Sequence, residues 1–177
     1  MLLWLIPTQQ LKVIFLVSSF CLIQTVDFAA PAVLLGLLAW LSLIDIRERR
    51  LPNKLVLAVA ILGLTFSAWQ CLSVSSLLPL KAALWGVPLT AGPAVLFSLL
   101  YYLLRKHEGF GMGDLKLLAA LGLYLGPVGL MVLPLASVMA VLGTLPQFIF
   151  QKEKTRGQTI AFGPYITLAT LFLVIFL

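Results

Sequence analysis

Asp45 and Asp114 are the residues on which chemistry can be built. Asp45 stands in Leu43-Ile44-Asp45-Ile46-Arg47-Glu48-Arg49-Arg50-Leu51-Pro52-Asn53, and Asp114 in Gly111-Met112-Gly113-Asp114-Leu115-Lys116-Leu117. Each lies where a long apolar run meets a basic loop. The chain has only six acidic residues, and a carboxylate beside hydrocarbon is costly enough to mark a functional site. Two that converge can share a proton and activate a water molecule, as aspartic proteases do. Each also has a simpler reading. Asp45 fits an interfacial acid paired with Arg47, Arg49 or Arg50, and Asp114 after Gly-Met-Gly fits a helix N-cap.

The neighbours of each acid suggest supporting roles. Pro52 cannot continue a helix, and Asn53 can cap the next one. Gly111 and Gly113 allow unusual backbone angles and close approach to a ligand. An extended peptide needs such approach, because its own backbone groups must find partners. Lys116 is placed to tune the charge of Asp114 or to contact lipid phosphate. Near the end of the chain, Ala161-Phe162-Gly163-Pro164-Tyr165 sets a Gly-Pro break at the start of the last apolar run.

Other chemistries are poorly supplied. His107 is the only histidine and stands between Lys106 and Glu108 in a charged loop, which argues against a serine triad. The two cysteines, Cys21 and Cys71, form no Cys-x-x-Cys. That excludes a four-cysteine zinc site and favours buried, inert thiols over a disulfide.

These residues need elements to hold them. The chain of 177 residues is 62% hydrophobic and 10% charged, with a mean hydropathy of +1.11. That is the composition of a polytopic membrane protein, whose backbone must be satisfied within helices or a closed barrel. Long runs without alternation select helices. The reading is an all-α transmembrane bundle of about six to seven spans. It forms one integral-membrane domain over 1–177, with the motifs from about residue 30 onward. The N-terminal run reads as a retained span, because no small-residue cleavage site follows it. Spans are expected at 9–26, 29–46, 54–72, 82–104, 114–126, 128–150 and 160–177. The fifth is short, since thirteen residues rise only ~20 Å, and Gly122, Gly126 and Pro127 mark a break beside it. Gly86, Gly92, Ala94, Ala136 and Gly143 are small enough to allow close helix packing.

The net charge of +6 points to topology rather than nucleic acid. The basic residues gather in three short loops, 47–54, 105–116 and 152–156, which is the positive-inside pattern. With a cytoplasmic N-terminus, seven alternating spans place every Lys and Arg except Lys81 inside. The same path puts Asp45 and Asp114 at one depth on the cytoplasmic side. Basic side chains there also suit anionic lipid heads.

Taken together, the motifs resemble those of the type IV prepilin peptidases, a family of aspartic membrane proteases. Asp-Ile-Arg-Glu-Arg-Arg-Leu-Pro-Asn resembles the family's first catalytic motif. Gly-Met-Gly-Asp resembles its second, GxGD, and Phe-Gly-Pro resembles its C-terminal element. The resemblance implies removal of the short basic leader from prepilins or pseudopilins at the cytoplasmic face of the cell membrane, usually just after a glycine. It implies Asp45 and Asp114 as the catalytic pair, one acting as base on a water and the other as acid, with no metal and no cofactor. Partners would be the substrate helix with its leader and the surrounding lipid. Many bacterial members also N-methylate the new terminus and carry paired Cys-x-x-Cys motifs. This sequence has none, so cleavage without methyl transfer is expected. The rival readings are a small transporter or channel, which would set ionisable groups near mid-membrane, and a catalytically silent assembly factor.

Overall fold

The computed structural model describes residues 29–48, 51–106, 111–150 and 161–176. The described residues form helices and no strand: α1 (Ala29–Glu48), α2 (Asn53–Val74), α3 (Leu78–Arg105), α4 (Met112–Leu125), a 3-10 turn (Gly126–Met131), α5 (Val132–Phe150) and α6 (Gly163–Phe176). The expected second to seventh spans correspond to these helices, with ends shifted by up to four residues; the expected span 9–26 lies outside the described residues. Four stretches are long and apolar enough to cross a membrane: Ala29–Glu48, Asn53–Ser73, Leu78–Leu104 and Met112–Leu145. Gly163–Phe176 is a shorter apolar helix. The chain is an all-α membrane protein.

Local chemistry explains several boundaries. α2 and α3 close on left-handed residues, Ser75 at φ 50° and Lys106 at φ 54°. The Lys106 N–H donates back to Tyr102 O at 2.8 Å, satisfying a carbonyl that the helix end would strand. Pro79 falls in the first turn of α3, where a missing N–H costs nothing, whereas Pro88 and Pro93 sit inside it and each removes a helical hydrogen bond. Several hydroxyls along the helices are satisfied locally, although that of buried Thr90 in α3 has no partner among the described residues. Thr65, Ser73, Ser137, Thr144 and Thr170 each donate to a carbonyl of their own helix four residues back, as hydrocarbon surroundings demand.

α4 is the central element. It packs against both α2 and α3, while α1 packs on α2 and α6, and α6 on α5. Leu117, Leu118 and Leu121 of α4 are fully buried, with Leu34, Leu38 and Leu41 of α1 and Ile166 of α6. Phe66 of α2 stacks on Tyr124 of α4 with ring centroids 4.9 Å apart. Large apolar side chains such as Trp40, Leu72, Trp85 and Leu104 point outward, which suits a lipid-facing surface.

Glycines set the α3–α4 approach. A Cβ on Gly122 would come 2.5 Å from Gly86 O, and one on Gly86 would come 2.6 Å from Gly126 Cα. The two backbones therefore touch. Gly126 faces Ala82, and the next glycine, Gly129, faces Thr90. The chain thus runs back along α3 as far as Ala82 and then reverses, confirming the break read at Gly122, Gly126 and Pro127. Gly126 makes the reversal with φ 59° and ψ −142°, a region essentially reserved for glycine. A Cβ there would have room, its nearest neighbour being Ala82 O at 3.5 Å, so the obstacle is backbone angle alone. Gly126→Ala is expected to cost about 1–3 kcal/mol, read as a lower unfolding midpoint in detergent.

Candidate active site

Three helix starts meet one helix end at the site. α2 begins after Pro52, α4 after Gly111 and α6 after Phe162. Each of these carbonyls accepts the first helical N–H bonds, with N···O distances of 3.0–3.3 Å. α1 ends three residues beyond Asp45. Helix starts carry partial positive charge from their unpaired N–H groups. Gathering them lowers the cost of holding two carboxyls away from bulk water.

Asp45 is buried, with 6% of its surface exposed, and is the only charged residue buried among those described. The Gly163 N–H donates to its Oδ2 at 3.0 Å. One turn further into α6, the Thr167 hydroxyl lies 3.3 Å from Leu38 O of α1 and 3.0 Å from Gly163 O. α6 is thereby tied to α1 at two successive turns. Of the cations named for an ion pair with Asp45, Arg47 is exposed while the carboxyl is buried. Arg49 and Arg50 lie outside the described residues.

Asp114 is the third residue of α4 and half-buried. Its carboxyl lies close enough to Asp45 for the two charges to interact. The N-cap reading of Asp114 is corrected. The cap position belongs to Gly111, and no side chain caps α4. A cap carboxylate must precede its helix, and this one is already within the first turn. Among the described residues no hydrogen bond reaches the Asp114 carboxyl, which leaves it available.

Two other expectations change in the same way. Asn53 does not cap α2; Pro52 holds the cap position, and no side chain completes it. Asn53 is the first helical residue, and its Oδ1 accepts a hydrogen bond from Lys116 Nζ at 3.3 Å. Lys116 therefore reaches across to α2. Gly111 has ordinary angles, φ −63° and ψ 131°, and among the described glycines only Gly126 has positive φ. What Gly111 and Gly113 provide is space. A Cβ on Gly111 would lie 3.1 Å from Asp114 Oδ2, and one on Gly113 would lie 2.9 Å from Leu51 Cβ.

The Lys116–Asn53 bond is exposed and long, so it is worth well under ~1 kcal/mol. Lys116→Met is expected to shift stability by less than about 0.5 kcal/mol, measured as the change in unfolding midpoint.

Sequence reasoning did not single out Leu51 or Thr167. Leu51 fills the space that Gly113 leaves, and Thr167 sits one turn after Gly163 on the face toward α1. The spacing of Gly163 and Thr167, four residues apart, was the available signal. His107, Glu108 and Glu153 lie outside the described residues.

Comparison with known proteins gives the family of the chain. A prepilin leader peptidase/N-methyltransferase of Xanthomonas campestris pv. campestris is 38% identical over 133 residues, covering 73% of this chain and 43% of the relative. The proteins of the same description from Stutzerimonas stutzeri and Escherichia coli K12 are 38% and 36% identical, over 76% and 74% of this chain and 44% and 56% of the relatives. The chain thus spans about half the length of the curated relatives it matches. No solved structure gives a significant match. The model of the type IV leader peptidase family matches residues 32–146, a stretch that holds both aspartates, and on that match the chain belongs to the type IV leader peptidase family.

Proposed function

We propose that this protein is a membrane-embedded aspartic endopeptidase that removes the short basic leader of prepilin-like or pseudopilin precursors at the cytoplasmic membrane face. The observation that carries the proposal is the meeting of Asp45 and Asp114, from helices far apart in sequence, at the starts of α2, α4 and α6. One carboxylate takes a proton from water, which attacks the scissile carbonyl. The other carboxyl, protonated, polarises that carbonyl and then donates to the leaving nitrogen. Two close carboxyls resist ionising together, so the pair supplies one acid and one base and titrates as a unit. Gly111 leaves the space beside the Asp114 carboxyl free of its own side chain, which suits the close backbone approach of an extended leader.

The orientation rests on charge. Arg47, Lys54, Lys106 and Lys116 flank the helix ends at the site, while Lys81 lies near the opposite start of α3. That asymmetry supports a cytoplasmic site. The reversal at Gly126 supports counting α4 and α5 as separate passes within an arrangement of six to seven. The residues present include no Cys-x-x-Cys, so the proposed reaction is cleavage without N-methylation.

The direct test is incubation of the purified full chain with a prepilin, with the product sized by mass spectrometry. Loss of the leader alone, at a single bond and with no added methyl group, is expected. Intact substrate together with ion flux in liposomes would replace this reading with that of a transporter.

A further inference from the structure

The start of α6 is arranged in a way that its sequence explains. A helix leaves its first N–H groups without intrahelical partners. In α6 the first residue is Gly163, the second is Pro164 and the third is Tyr165. Tyr165 N–H bonds back to Phe162 O at 3.1 Å, and Pro164 has no N–H. Among the first three residues of the helix, Gly163 has the N–H left over, and it is directed at Asp45 Oδ2. The space around it is equally restrictive. A Cβ on Gly163 would lie 2.6 Å from Asp45 Oδ2 and 3.1 Å from its Cγ. Any side chain there must displace the carboxyl. Glycine is needed here for close approach, since positive φ among the described glycines occurs only at Gly126.

We propose that Gly163 is a positioning residue, whose backbone N–H and bare Cα together fix the Asp45 carboxyl in its working orientation. The proposal deepens the aspartic-peptidase reading and rests on it for the word "working"; the hydrogen bond itself is a separate claim. Pro164 contributes by supplying no rival donor and by presetting the first turn of α6. The Thr167 contact with Leu38 O keeps α6 in register with α1, so that the donor stays aligned.

The decisive variant changes one atom group and no shape. An ester in place of the Phe162–Gly163 peptide bond, introduced by incorporating glycolic acid at position 163 of the full chain, deletes the N–H. Leader cleavage by this protein is expected to show kcat at least tenfold lower with KM within twofold, because substrate binding is untouched. Gly163→Ala is expected to lower kcat by about a hundredfold, as misplacement approaching 1 Å does. Gly36→Ala, at an open position of α1, serves as the control and should match the native enzyme. An unchanged kcat in the ester overturns the proposal. A second measurement needs no substrate: infrared difference spectra of the native and ester proteins, labelled with carboxyl-13C aspartate. A shifted carboxyl band that vanishes when the comparison is repeated with Asp45→Asn supports the bond. Aspartate bands that do not move overturn it, whether or not the protein cleaves prepilins.

Discussion

Asp45→Asn and Asp114→Asn are each expected to reduce leader cleavage by at least about 10³-fold, within the range that loss of a positioned acid or base produces. Asparagine keeps the size of the side chain and can still accept the Gly163 N–H through its amide oxygen. It cannot take a proton from water, and its amide is too weak an acid to replace a carboxyl. The two residues act as one unit in the proposed mechanism, so the double variant should be little worse than either single one. Kinetics should be run beside thermal unfolding of each variant. Full activity in either properly folded variant would remove that residue from the reaction. Activity surviving in both would remove the aspartic mechanism altogether.

The largest effect on stability is expected at Gly86. A Cβ there meets backbone on both sides, Gly122 O and the Cα and C of Gly126. Backbone cannot swing aside as a side chain tip can, so α3 and α4 would have to separate. Gly86→Ala is expected to cost about 3 kcal/mol, at the upper end of ordinary overpacking, and Gly86→Leu more. Gly92→Ala is the matched comparison in the same helix, since open space surrounds Gly92; it should be neutral or slightly stabilising through helix propensity. Reversible unfolding in mixed micelles measures both. Equal midpoints for Gly86→Ala and Gly92→Ala would show that the helices can part cheaply.

The described helices, the break near Gly126 and the placing of Asp45 and Asp114 at helix ends could be read from the sequence because each leaves a local trace. Apolar runs show their length, Gly and Pro interrupt them, and an acid beside hydrocarbon is conspicuous. The pairing of Lys116 with Asn53, the seat of Leu51 under Gly113 and the bond from Gly163 to Asp45 left no such trace. These depend on how each helix is rotated about its axis. In a soluble protein a polar face would reveal that rotation. Here both the lipid-facing and the buried sides are apolar, as Trp40 and Leu41 of α1 illustrate, one exposed and the next fully buried. The capping roles expected of Asn53 and Asp114 failed for a related reason. In α2, α4 and α6 the cap positions fell to Pro52, Gly111 and Phe162; Asn53 was drawn into a bond with Lys116 of α4 instead, and Asp114 lies inside the first turn of its helix.

The length of α4 has a consequence for its place in the bundle. Its 14 residues rise about 21 Å, against a hydrocarbon core of about 30 Å. α3, which packs beside it, has 28 residues and is long enough to cross with some to spare. A short helix in contact with lipid would create hydrophobic mismatch, but Leu117, Leu118 and Leu121 of α4 are fully buried and its neighbours are α2 and α3. Protein rather than lipid therefore makes up the missing length, and the end where Asp114 begins the helix can stop short of the membrane surface without presenting polar backbone to hydrocarbon.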